Sequence, residues 1–141
     1  ADLPIHQWLA VTGSVNQLGE IQPIGGVNEK IEGFFESCSR KGLTGQQGVI
    51  IPARNTKHLA LRRDVVEAVE SGHFSVYAVN TIEEALELLT GVAAGGRDLD
   101  GTYPSDSVFG RAAQRLEEMA QAVAEWSEGE EKPSGHIITG P

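Results

Sequence analysis

Strand-like and helix-like patterns alternate through the first two thirds of the chain. From Gln7 to Val15 the run is rich in strand formers, and after a polar turn at Asn16–Gly19 a second run, Glu20 to Ile24, reads as its hairpin partner. The Gly25-Gly26 pair then punctuates the chain. Beyond it Val27, Ile31, Phe34, Phe35 and Cys38 recur at helical spacing until Gly42, predicting a helix over 27–41. Glu29, Glu32 and Glu36 fall on the opposite side of that helix at roughly 100° per residue, as a solvated face does. Gly48 to Pro52 is apolar on both faces, an interior strand that ends where proline removes a ladder donor. Residues 53–60 read as a loop or short turn.

Leu61 to Ser71, with Val65, Val66 and Val69 among charges, predicts a second helix closed by Gly72, and His73 to Val79 a strand. Thr81 and Glu84 form a capping-box pattern ahead of Ala85, Leu86, Leu88 and Leu89, and Gly91 is placed to end that third helix. The alternation predicts an α+β unit over 1–91, a small mixed β-sheet flanked by helices. Glycine, aspartate and proline then replace the apolar rhythm, so 92–104 reads as a linker or exposed loop. Ser105 or Asp106 is the expected cap of an extra C-terminal helix over 105–128, with Phe109, Ala112, Ala113, Leu116, Ala120 and Val123 on one face. Residues 129–141 have no period and are expected to be disordered.

Composition changes the picture by exclusion. The 141 residues carry 11 basic and 20 acidic side chains, a formal net charge of -9, which disfavours a phosphate-backbone or anionic-lipid partner; no nucleic acid and no membrane contact are expected. No apolar run approaches the roughly 20 residues that span a bilayer, and the first residues lack a signal-peptide pattern, so a soluble, cytoplasmic protein is expected. Cys38 is alone, and His6, His58, His73 and His136 share no ligand spacing with it or with one another. No metal site is expected. Cys38 on the apolar stripe reads as core, and Trp8 and Trp126 as packing anchors.

The segment Gly19 to Lys30 carries the most chemical information. Two glycines before a helix let the backbone approach something closely and aim a first-turn side chain, which is Lys30. Lys30 borders the apolar stripe beside Phe34, where its ammonium is either held partly dry or reaches water over a buried stem. Desolvation and a helix N-terminus both disfavour an ammonium, the condition that a lysine general base needs near neutral pH. Thr12, before Gly13, is a strand former whose hydroxyl is able to hold a nearby amine.

The stretch LAVTGSVNQLGEIQPIGGVNEKIEGFFESC, continued by GVIIPARNTKHL and by LRRDVVEAVESGHFSVYAVNTIEEALELLTG, resembles the proteolytic domain of Lon, the ATP-dependent protease La, above all its archaeal-like branch and bacterial relatives. The resemblance covers roughly 5–91. It implies a Ser-Lys dyad that hydrolyses peptide bonds, with Lys30 as the general base and Thr12 as the supporting hydroxyl. The family's nucleophile lies in a Gly-Pro-Ser-Ala-Gly-like turn upstream of the lysine. Only 29 residues precede Lys30 here, and no serine among them stands in such a turn. Ser134 lies on the wrong side of the lysine. Ser14 stands where many family members carry glutamate.

This chain is therefore expected to be a fragment, truncated or released by proteolysis, that does not cleave peptides alone. It has no Gly-x-x-x-x-Gly-Lys-Ser/Thr loop, so no cofactor is expected in it, and ATP with Mg is assigned to an absent upstream ATPase module. The resemblance further implies unfolded or damaged polypeptides as substrates and a homo-oligomer, a hexameric ring. The alternative is a non-catalytic assembly or interaction module on the same scaffold, with the C-terminal helix as its partner-binding element.

Overall fold

The computed structural model describes residues 1–129, with side chains through Ser127. Three parallel strands form the main sheet in the order β1-β4-β5, where β1 is Leu9–Val11, β4 is Gly48–Pro52 and β5 is Ser75–Val79. A separate two-stranded antiparallel ribbon joins β2 (Ser14–Val15) to β3 (Ile21–Gln22), in the register Ser14 to Gln22 and Val15 to Ile21. The expected mixture of parallel and antiparallel pairing is present, divided between two sheets. Asn16 closes the hairpin, its side-chain oxygen accepting from Leu18 N and Glu20 N, both at 2.9 Å.

The strand expected over Gln7–Val15 breaks at Thr12-Gly13, and proline explains the break. Thr12 N donates to Ile50 O at 3.0 Å, extending the β1–β4 ladder one step beyond Val11. The next donor in a parallel ladder would be Pro52 N, which carries no hydrogen, so the chain leaves the sheet there.

All five residues of β4 are buried, and its alternating side chains divide the core. Val49 and Ile51 join Val27, Ile31 and Phe35 of α1 (Val27–Ser39), Val65 of α2 (Arg63–Glu70) and Phe74. Ile50 joins Val79 and Ala85, the latter on α3 (Ile82–Thr90). Burial on both faces is why Gly48 to Pro52 carries no polar residue. Phe74 anchors the larger half, meeting Phe35 edge-on at 5.2 Å between ring centroids. Trp8, expected as an anchor, instead stacks on His6 at 4.5 Å and stays partly exposed.

Local chemistry sets the helix ends. α3 starts at the expected Thr81, whose hydroxyl accepts from Glu84 N at 3.5 Å, and Gly91 closes it at φ 70°. Residues 53–60 are largely a 3₁₀ helix, Ala53–His58. After α3 the chain runs without helix or strand, yet it is anchored: Ala94 is buried, and its N–H donates to the Glu87 carboxylate at 3.0 Å.

The last helix, α4 (Val108–Gly129), begins later than Ser105 or Asp106 would place it. Its cap is Ser107, which is buried and accepts from Gly110 N at 3.0 Å. Val108 N and Phe109 N donate back to Ala93 O and Ala94 O, which ties the helix start to the preceding loop. Every residue from Ala113 to Ser127 is exposed, Trp126 included, so Trp126 anchors nothing among the described residues. The expected disordered tail lies outside the described residues from 130 onward. Among the described residues, no helix is long and apolar enough to cross a membrane.

Candidate active site

Lys30 stands in the first turn of α1, and the geometry of that turn depends on glycine. Gly26 occupies the cap position in the left-handed region, φ 67° and ψ 29°, which costs a side-chain-bearing residue energy but not glycine. Among the described residues, no side chain caps the helix. Lys30 N closes the first turn onto Gly26 O at 3.2 Å.

Two asparagines hold this turn against the segment after β4. Asn55, buried in the 3₁₀ helix, accepts from Ile24 N at 3.0 Å and donates to Ile24 O at 2.9 Å. Asn28, in the first turn of α1, donates to His58 O at 3.2 Å and accepts from Ala60 N at 3.0 Å. Each carboxamide imitates a backbone pairing, one gripping the chain before α1 and the other the chain before α2. One turn further along, the Glu32 carboxylate accepts from Arg62 N at 2.8 Å. Glu32 is therefore half-buried and engaged, while Glu29 and Glu36 keep the solvated position expected for all three. Asn55, Asn28 and Glu32 carry no motif signal in the sequence, because each partner lies about thirty residues away and is main chain.

The side chain of Lys30 is exposed, and it joins no hydrogen bond or ion pair among the described residues. Of the two settings considered for it, partly dry or reaching water, the structure of these residues has the second. Val27, Ile31 and Phe35 bury the stripe under β4, and Lys30, one position before Ile31, falls at its uncovered margin.

Thr12 is half-buried at the end of β1, in register with Ala10, which packs on the α1 side of the sheet. No hydrogen bond joins Thr12 to Lys30 among the described residues. Thr12 also lines an apolar groove of about 260 Å³, walled by Val11, Ile50, Val79, Ala85 and Leu89.

Electrostatics elsewhere is local. Burial pushes the Cys38 thiol up, with Lys41 partly opposing, and the residue is half-exposed at the end of α1 rather than in the core. Hydrogen bonding from Arg62 holds the exposed Asp64 carboxyl below its usual range, the guanidinium lying 2.8 Å away. Among the described residues, no three of histidine, cysteine, aspartate and glutamate gather as metal ligands do.

Residues 1–91 match the family described as Lon protease (S16) C-terminal proteolytic domain. A putative Lon protease homolog of Escherichia coli K12 is 52% identical over 96 residues, which cover 68% of this chain and 16% of that protein. One of Haemophilus influenzae Rd is 45% identical over 122 residues, 86% of this chain and 20% of its own length. An archaeal Lon protease of Thermococcus kodakarensis is 39% identical over 87 residues, 62% of this chain and 12% of that protein. The chain thus spans at most a fifth of these relatives. With the matched residues running from Ala1 through α3, the whole unit that presents Lys30 and Thr12, this chain belongs to the Lon proteolytic-domain family.

Proposed function

We propose that this chain supplies the lysine half of a Ser-Lys peptidase site, with Lys30 as general base and Thr12 as the hydroxyl that supports it. The observation that carries the reading is the family match over 1–91 together with Lys30 in the glycine-started first turn of α1. The serine comes from a part of the proteolytic domain outside these 141 residues. Uncharged, Lys30 Nζ takes the serine proton as the serine oxygen attacks the peptide carbonyl carbon, and backbone N–H groups hold the resulting oxyanion. The C–N bond then breaks, and Nζ returns its proton to the leaving amine. Water, deprotonated by Lys30 Nζ, attacks the acyl-enzyme ester carbon, and Nζ returns that proton to the serine oxygen as the ester bond breaks.

Unfolded or damaged polypeptides are the substrates that this reading assigns to the site, on the strength of the family match. A homo-oligomeric ring in the cytoplasm, driven by an ATPase module elsewhere in the protein, completes the reading. Nucleotide binding is assigned to that module, since the sequence here carries no Gly-x-x-x-x-Gly-Lys-Ser/Thr loop. No step here runs through ATP or Mg.

The second reading, a non-catalytic assembly module, is favoured by one observation, the exposed state of Lys30. Fluorophosphonate labelling and peptide cleavage separate the two. The assay compares this chain with one extended upstream by about sixty residues, each with and without Lys30→Ala. Labelling only in the extended chain with Lys30 intact is expected. Silence in a folded extended chain overturns the peptidase reading.

A further inference from the structure

The chain between β3 and α1 has little of its own to hold it. It runs Pro23-Ile24-Gly25-Gly26, where the two glycines carry the largest backbone freedom and Pro23 has no N–H to donate. Among the described residues, Pro23, Ile24 and Gly25 make no hydrogen bond to other main chain. Packing adds little at the glycines. A side-chain carbon at Gly25 would meet nothing within 4 Å, and one at Gly26 only the Glu29 carboxylate. Ile24 is half-buried, yet it joins neither buried cluster of the core.

One side chain supplies what this stretch lacks. Asn55, 4% exposed, commits both groups of its carboxamide to Ile24, the hydrogen bonds that this stretch makes among the described residues. Two residues after Ile24 comes Gly26, whose carbonyl accepts from Lys30 N at 3.2 Å. Asn55 itself stands three residues beyond Pro52, in the 3₁₀ helix that continues β4. The same strand fixes Thr12, whose N–H donates to Ile50 O at 3.0 Å, and a side-chain carbon at Gly13 would lie 3.6 Å from the Pro52 ring. β4 and the corner after it are therefore a common frame for Thr12 and for the turn that presents Lys30.

We infer that Asn55 is a positioning residue of the peptidase site, tying the start of α1 to the strand that fixes Thr12 and so holding Lys30 in reach of the serine proton. The inference rests on the peptidase reading above. Asn55 acts through Ile24 and the glycine turn rather than on a reacting atom. A general base has to lie within hydrogen-bond reach of the proton that it takes, and a misplacement of about 1 Å costs on the order of a hundredfold in rate. Asn28 grips the same segment from within the first turn of α1, but its bonds are exposed and water competes for them. The bonds of the buried Asn55 have no such competitor.

The test measures peptide cleavage by the chain extended upstream by about sixty residues, carrying Asn55→Leu or Asn55→Ser, the second of which leaves room for a water in place of the carboxamide. In both, kcat should fall at least about tenfold with KM within about threefold of the original. The acid limb of the kcat profile reports Lys30 losing its proton, and it should move up toward the ordinary lysine range as the amine leaves its place. Phe74→Leu, which loosens the core at Phe35, further along α1, should leave kcat and the limb unchanged, so a loss of stability alone does not imitate the effect. In the 141-residue chain, Asn55→Ser should speed hydrogen exchange at the Lys30 amide at least about tenfold and leave the β4 amides protected. The original kcat and limb in a folded Asn55 variant, an equal loss in Phe74→Leu, or unchanged exchange at Lys30 would each overturn the inference. Cleavage that survives Lys30→Ala would instead remove the peptidase reading, and the inference with it.

Discussion

Asn55 holds both main-chain groups of Ile24, accepting from its N–H at 3.0 Å and donating to its carbonyl at 2.9 Å. The asparagine is buried, so neither bond is readily replaced by water. Asn55→Leu keeps the approximate volume and removes both partners, and it should cost about 2 kcal/mol in denaturant unfolding. Asn55→Asp keeps the acceptor, loses the donor and buries a charge, so it should cost at least as much. A stability equal to the original for both variants would mean that the grip on Ile24 contributes nothing.

Lys30 and Ile31 are neighbours with opposite duties. Ile31 is fully buried beneath β4, and Ile31→Ala should cost about 2 to 5 kcal/mol in unfolding. Lys30 is exposed, and Lys30→Ala should stay within about 0.5 kcal/mol of the original chain. In the whole protein the same change should abolish peptide hydrolysis and leave ATP hydrolysis largely intact. Retained peptide hydrolysis would remove Lys30 from the proposed dyad.

What the sequence discloses and what it conceals divide along the range of the forces involved. The α1 stripe of Val27, Ile31 and Phe35 is legible because helical periodicity is local, and Thr81 and Gly91 mark α3 through bonds within one turn. The break at Thr12 is concealed because its cause, the missing hydrogen of Pro52, lies across a strand pairing that no local pattern reveals. Asn55 and Asn28 are concealed for the same reason: turn residues by composition, they become clamps only after the chain has brought Ile24 and His58 to them. The exposure of Lys30 is equally hidden, since periodicity places a residue at the margin of a stripe without saying whether anything covers that margin. On α4 the pattern is legible and its meaning is not. An apolar stripe reads alike whether it packs within the chain or on another molecule.

The Cys38 thiol, pushed up chiefly by burial, should alkylate slowly with iodoacetamide at neutral pH. Its rate should rise with pH along a curve displaced upward from that of a small free thiol. The folded state binds the thiol proton more tightly than the unfolded chain does. The contribution to stability is thus complete below the ordinary thiol range and is lost as pH rises through the folded value. Cys38→Ser should flatten that alkaline decline. A rate profile coincident with that of free cysteine would contradict the assignment.

Gly110 stands where α4 crosses the Pro104 carbonyl, and a side-chain carbon there would overlap that carbonyl oxygen and reach within 2.7 Å of its carbon. Both obstacles are backbone, so Gly110→Ala must displace the first turn of α4 from the loop beneath it. The amides of Val108 and Phe109, bonded to Ala93 O and Ala94 O, should then exchange hydrogen faster, while those of β4 keep their protection. Ser107→Ala removes the cap without the clash and should produce a smaller loosening of the same amides, about 1 kcal/mol. Unchanged protection at Val108 and Phe109 in Gly110→Ala would show that the loop yields and that α4 is not seated through this contact.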